Sequence, residues 1–499
     1  MTARRIIGAI VLVAGVVGTL VVDRHRPATN EAVFGTVALP SMPIASTADA
    51  LTASWFCPGA PAGSAGAPSG SISILNSSDS PTRATLTVVP TEGDVVTREL
   101  TLAERSRAEI RLADVVTARF AAALVETVSS TVLVEQTSVA ALDPAGAGVA
   151  SSTSACATAP APSWYLADGS TTTDANETLL VFNPFPDDAV VDFTFFDGTA
   201  NRKPRSFQGI PVPPHSLRAL PLDEILQRKV QVAVTATARA GRFVLGRHQT
   251  FTTKPRRSLV AGLASPAAAT RWWFAAGEQS TSASTSVVVF NPGTELTTVT
   301  VAAYPAVPNG SVGPSADATG AAATGSGADG GFAPLEVSVG AGQAVVVALA
   351  DVVKDASGRY SLLVTSSDPT VVERRLALVA DPRRTTPLQF GIPLLATRWW
   401  FPAGAPAGGT ATLTVVNPGA TDVVLSVRSL GPAGLTPVPG ADQVTLRGAA
   451  SMQIDLTAAK VGTFPIVVDA TGPIAAEQLL VPSIDSPGAS SAPGIPVVG

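Results

Sequence analysis

Aligned on Asn76, Asn183, Asn291 and Asn417, the chain repeats one pattern of apolar and variable positions. Four residues before each Asn stand Ile72, Leu179, Val287 and Leu413, and two before stand Ile74, Val181, Val289 and Val415. The residues between them, Ser73, Leu180, Val288 and Thr414, share no character. Successive side chains of a strand point to opposite faces, so this period of two predicts a strand with one committed core face. Beyond each Asn, Ala84/Leu86, Val191/Phe193, Val299/Val301 and Leu425/Val427 predict a second strand. The turn between them reads Asn291-Pro292-Gly293 and Asn417-Pro418-Gly419, with Asn183-Pro184 in another copy and Asn76-Ser77-Ser78 in the first. Pro presets φ and Gly supplies a positive φ, so a type II turn is expected.

Further strands are legible at Leu335/Val337/Val339, at Val345/Val347/Leu349, and in a closing pair Tyr360 to Thr365 and Val371 to Leu376 bent at Ser366-Ser367-Asp368-Pro369, as Gly472-Pro473 bends the last copy. Gly262-Leu263, Gly391-Ile392 and Gly494-Ile495 echo one another, so the C-terminal tail is expected to add a strand. Short strands with turns at this spacing predict an all-β chain of four tandem antiparallel β-sandwich repeats, Ig-like or jelly-roll-like. The alternative is a β-propeller in which each repeat supplies two blades. The repeats are placed at residues 51–158, 159–267, 268–394 and 395–499, with a Gly/Ala/Ser-rich insertion at 308–331 in the third. Residues 27–50 read as a linker.

Each copy opens on tryptophan: Trp55-Phe56, Trp164-Tyr165, Trp272-Trp273-Phe274 and Trp399-Trp400-Phe401. With Trp55, Trp164, Trp273 and Trp400 taken as equivalent, the spacings are 109, 109 and 127 residues, the size of a domain. These four are expected in the cores, because large aromatics dominate core energetics. Strand alternation then points Trp272 and Trp399 outward, beside Arg271 and Arg398, as candidate ligand or interdomain residues.

Composition places the chain among folded proteins: 46% of residues are apolar and 14% charged. The net charge of −5 is spread without a basic patch, which argues against nucleic acid as a partner. Ile6 to Val22 is an uninterrupted apolar or small run between Arg4-Arg5 and Asp23-Arg24-His25-Arg26. At 1.5 Å per residue it spans roughly 25 Å, enough for a transmembrane helix. Residues 1–26 are therefore expected to form a cytoplasmic stub and membrane anchor, with the rest outside.

Candidate chemistry is sparse. Glu135, Glu373 and Glu477 are equivalent in the closing strand, where the second copy has Gly246 followed by Arg247. An acid recurring in three copies reads as structural, bonded to a neighbouring turn or to an Arg such as Arg374. Cys57 and Cys156 flank the first copy, and a disulfide between them is expected in an oxidising compartment. His25, His215 and His248 form no metal motif, and neither a nucleophile elbow nor a phosphate loop is present. Asp197-Gly198-Thr199 reads as a hairpin turn. No catalytic residue, cofactor or metal is expected.

Trp273-Phe274-Ala275-Ala276-Gly277, Val288 to Pro292, Leu349 to Val352 and Val371 to Arg375 give the chain its resemblance to a family of actinobacterial membrane-anchored or secreted repeat proteins of unknown function. The resemblance implies a cell-envelope setting and no catalytic residue. The expected function is that of a non-enzymatic single-pass envelope protein, presenting a string of β-domains to a protein or wall polysaccharide. Carbohydrate binding through exposed Trp is the alternative, and an envelope glycan hydrolase a more distant one.

Overall fold

The computed structural model describes residues 41–46, 50–64, 67–142, 149–253, 257–306, 332–379, 385–482 and 488–498. The apolar run Ile6–Val22, residues 27–40 and 47–49 of the linker and the 308–331 insertion lie outside them. Among the described residues no helix is long and apolar enough to cross a membrane.

The fold is all-β, built of antiparallel sheets. In the first copy Ala53–Ala62, Ala118–Thr127, Thr82–Pro90 and Val96–Leu102 form one sheet in that order, while Ser106–Arg111, Ser71–Asn76, Val132–Ala141 and Val149–Ala155 form another. The chain thus passes between sheets instead of finishing one before starting the next. A propeller blade is a run of consecutive strands, so this interleaving overturns the propeller alternative. The two sheets face each other across one core, to which Trp55, Leu86 and Val125 come from one side and Ile72, Ile74 and Val134 from the other.

The second copy repeats the order, with Ser216–Pro221, Ala175–Asn183, Val244–Phe251 and Ser258–Leu263 in one sheet. In the third and fourth copies the predicted closing pair is one long strand, Gly358–Leu378 and Ile466–Val481, whose two halves pair in different sheets. The predicted bends mark where the strand changes sheet. Leu349 does not end a strand but opens a short helix, Leu349–Val353.

The asparagines are the shared clamp of the fold. Each is buried; its Nδ2 donates to the carbonyl four residues on (Ser80, Asp187, Glu295, Thr421) and to a strand end such as Ala103 or Val339. Each Oδ1 accepts the amide two residues on, at Ser78, Phe185, Gly293 and Gly419. The turn is therefore an Asx turn, and neither Gly293 nor Gly419 has a positive φ, so the expected type II geometry is not formed. This is why the first copy needs no Pro-Gly.

The tryptophan register differs from expectation. Trp272 and Trp399 point inward, 1% and 0% exposed, and are the true counterparts of Trp55 and Trp164. All four donate the indole N–H to the start of a closing strand or the turn before it: Trp55 to Val132, Trp164 to Phe243, Trp272 to Thr370 and Trp399 to Ile474, at 2.8–3.1 Å. Trp272 and Trp399 are not surface residues. Trp272→Ala and Trp399→Ala are each expected to lower stability by about 3–5 kcal/mol, read as a drop in the urea midpoint; an unchanged midpoint would return them to the surface.

Candidate interaction sites at the seams between copies

Residues next to the lead indoles carry each copy onto the next. Phe56 packs into the core of the second copy, Tyr165 against Val288 and Phe290 of the third, Trp273 into the fourth, and Trp400 into the first. Each also pairs with a residue just past a closing strand: Ala157, Ser265, Ile392 and Ile495. Gly391 and Gly494 are required there, since a Cβ would stand 2.8 Å from Trp272 and Phe401 respectively. Contacts thus run from first to second, third and fourth copy and back to the first. The domains form a closed circuit, not the expected string.

The recurring Glu sits where these seams meet. Glu135, Glu373 and Glu477 are 0–2% exposed and lie in register with Ala155, Phe390 and Pro493, the last residues of the strands that follow the closing strands. Glu373 accepts the amides of Ala167 and Asp168 from the second copy, at 3.1 and 2.8 Å. Glu477 accepts those of Ala275 and Ala276 from the third, and Glu135 that of Ala403 from the fourth at 2.6 Å. Each carboxyl group accepts amides from the Trp strand of the preceding copy, just past its end in the second and fourth copies and at the bulge after Phe274 in the third, bonds that offset the cost of burying it.

The second copy has no such acid, and its partner has no such amide. Gly246 occupies the Glu position, in register with Leu263, and faces Pro58, which has no N–H. A Cβ on Gly246 would lie 2.5 Å from that of Pro58, so the proline ring fills the space a carboxylate takes elsewhere. The next residue covaries in the same way. Arg247 reaches Glu373 and the Asp168 carbonyl; Arg374 reaches Glu477 at 2.5 Å and the Ala276 carbonyl. Gln136, across from a second copy that has Gly246 in place of the Glu, bonds Gly59 of its own copy.

Asp168, Glu177 and Glu373 converge with Arg247 and Arg375 at the second seam, where Arg375 grips Asp168 through two nitrogens. Burial opposes the Arg247 charge, but Glu373 overcomes it and raises its pKa. Burial pushes Glu177 up to about 8, against the pull of Arg247 and with a push from Asp168 and Glu373. Glu135 lacks an arginine partner from the fourth copy, which has Gln478 at that position. Burial raises its pKa to about 7, opposed by the Ala403 amide and Arg107. Arg107 spans the same seam, donating to the Thr463 carbonyl at 2.8 Å.

Of the residues singled out in the sequence, Arg271 is exposed and Arg398 pairs with Asp469 at 2.5 Å. Cys57 and Cys156 form the expected disulfide. His248 is half-buried edge-on against Phe120 of the first copy, 5.1 Å between ring centres, and its partial burial lowers its pKa to about 4. Asp197 accepts the Thr199 and Ala200 amides within a hairpin, as its neighbours predict. No group of three or more metal-binding side chains occurs among the described residues. The strands that follow the closing strands in all four copies, with Arg247 and Ser41–Pro43, line a cavity of about 90 Å³, and a larger one of about 350 Å³ lies beside Trp273 at the third seam.

Gly246→Ala is expected to lower stability by about 1–3 kcal/mol, and Pro58→Gly in the same chain to recover part of it in thermal melts; a neutral Gly246→Ala would mean the seam is open. Glu135 holds a proton in the folded chain that the unfolded chain releases above its ordinary pKa of 4.5. The stability this contributes is complete below that value and is lost as pH rises through about 7. Glu135→Gln is therefore expected to raise the melting temperature at about pH 8 and leave it unchanged near pH 4; an equal effect at both would refute the assignment.

None of the curated proteins matches the chain. A solved structure titled "Crystal structure of tetra-tandem repeat in extending region of large adhesion protein" aligns at 10% identity over 86% of this chain and 95% of that one. Its TM-score of 0.09 is too low to bear on fold or function. Residues 122–244, which run from the first copy into the second, match DUF5719, a family of unknown function.

Proposed function

We propose that the chain is a non-enzymatic envelope protein, anchored by Ile6–Val22, whose four Ig-like or jelly-roll-like sandwich repeats stand outside the membrane and present a surface to a partner. The partner is an envelope protein or a wall polysaccharide. The observation that carries this reading is the disulfide between Cys57 and Cys156, the only cysteines of the chain, which suits an oxidising compartment. Binding without catalysis is supported by the seam carboxylates: Glu135, Glu373 and Glu477 are buried and bonded to backbone amides, so none is free to serve a substrate.

The full chain is expected to sediment with membranes after a high-salt wash and to be cut by protease added to intact spheroplasts. Deleting Ile6–Val22 should move it to the soluble fraction. Protection from protease in intact spheroplasts, with both cysteines reduced, would sink the proposal.

A further inference from the structure

Three of the four seams are crossed by the peptide chain, which runs on from first to second, second to third and third to fourth copy. The chain makes no such crossing from fourth to first, so this seam can open without a covalent link holding its two sides together. Of the three seams with a carboxyl group it also has the fewest bonds there. Glu373 and Glu477 each accept two amides and an arginine, whereas among the described residues Glu135 accepts only the Ala403 amide. Where the arginine would stand the fourth copy has Gln478, whose buried Nε2 has no partner among the described residues. The rest of the seam is Arg107 on the Thr463 carbonyl, the Thr153 amide on Ser490 Oγ at 2.8 Å, and Trp400, Leu430 and Ile495 packed in the first core.

Residues 41–46 lie across this seam. Ala45 is buried with Trp55, Trp400 and Ile495 in the cluster that first and fourth copies share. It pairs in parallel with Val497, and its amide donates to the Pro496 carbonyl at 2.9 Å. Met42 is buried in the main cluster of the fourth copy, with Ile44 packed against it. The segment leads along the chain into the first copy yet is seated on the fourth, so it supplies the backbone link that the other seams have covalently. Its hold among the described residues is the Ala45 bond and the burial of Met42 and Ala45. A contact of that size releases without unfolding the strands beneath it, since segments held by few contacts open at less cost than the whole chain.

We infer that residues 41–46 are a latch: while they are seated the fourth–first seam is shut, and when they leave, it opens as one unit with the other three seams closed. Opening bares Trp400, Leu430 and Ile495, apolar residues at most 7% exposed in the closed circuit. The latch therefore governs whether that surface meets a partner. The inference does not draw on the envelope reading, and its test on purified protein is independent of membrane fractionation.

Every seam carries an amide whose acceptor lies on the neighbouring copy, so hydrogen exchange reads each one separately. The reporters are Ala261 on Ser152 Oγ for first and second, Ala167 and Asp168 on Glu373 for second and third, and Ala275 and Ala276 on Glu477 for third and fourth. Ala403 on Glu135 and Thr153 on Ser490 Oγ report the fourth and first. The test is exchange of the full-length chain in detergent, resolved to single amides by mass spectrometry. Ala45, Thr153 and Ala403 are expected to share one protection factor, about tenfold or more below the reporters of the other seams. Ala45→Pro removes the latch N–H and should speed Thr153 and Ala403 about tenfold, the effect of one lost hydrogen bond, with the other reporters unchanged. Ala45→Gly keeps that N–H and should leave Thr153 and Ala403 close to their original rates. Exchange at Ala45 alone, with Thr153 and Ala403 as protected as the other seams, would overturn the inference. So would Ala45→Pro speeding all four seams alike or none of them.

Discussion

A carboxylate can stay ionised inside a protein only where donors replace the water it has lost, and the seams are arranged around that requirement. Glu373 and Glu477 each take two amides from the Trp strand segment of the preceding copy and an arginine from the same preceding copy. The amides belong to a strand end at Ala167-Asp168 and to a bulge at Ala275-Ala276, places where N–H groups are left unpaired by their own sheets. Donor and acceptor are thus complementary shortages on two copies, and satisfying both sets the relative position of the copies. Where the acceptor is missing, at Gly246, the donor is missing too, because Pro58 has no N–H, and the contact becomes purely steric.

Much of the fold was legible because its signals are local. Alternation around each Asn gave the strand pairs, and the Asn side chain holds the turn in all four copies whatever follows it. The turn type was misjudged because Pro-Gly has a familiar meaning of its own, and the Asx bond makes a positive φ unnecessary. Neighbouring strands that merge, as in Gly358–Leu378, cannot be separated from a hairpin by pattern alone, since the residues at the bend suit either.

The tryptophan register failed for a different reason. In a Trp-Trp doublet both residues are aromatic, so parity has no contrast to read. Spacing does not resolve it either, since Trp55, Trp164, Trp272 and Trp399 stand 21, 19, 19 and 18 residues before their Asn (76 − 55, 183 − 164, 291 − 272 and 417 − 399). The neighbouring aromatic was then free to be what the structure makes it, the residue handed to the next copy. Closure of the circuit was not legible at all. Nothing in Trp400 announces that the next copy for the fourth is the first, because that contact joins residues some 345 positions apart (400 − 55).

Closure also brings the two ends of the described chain together. Ala45 pairs in parallel with Val497, and its amide donates to the Pro496 carbonyl at 2.9 Å, so the incoming segment lies along the last strand, Ile495–Val497. That strand is itself bonded to Ala396–Phe401. Tension entering at Ser41 is therefore divided between the first copy, through the covalent chain, and the fourth, through this bridge. A load that would peel a linear array one domain at a time is borne here by two adjacent members of a loop.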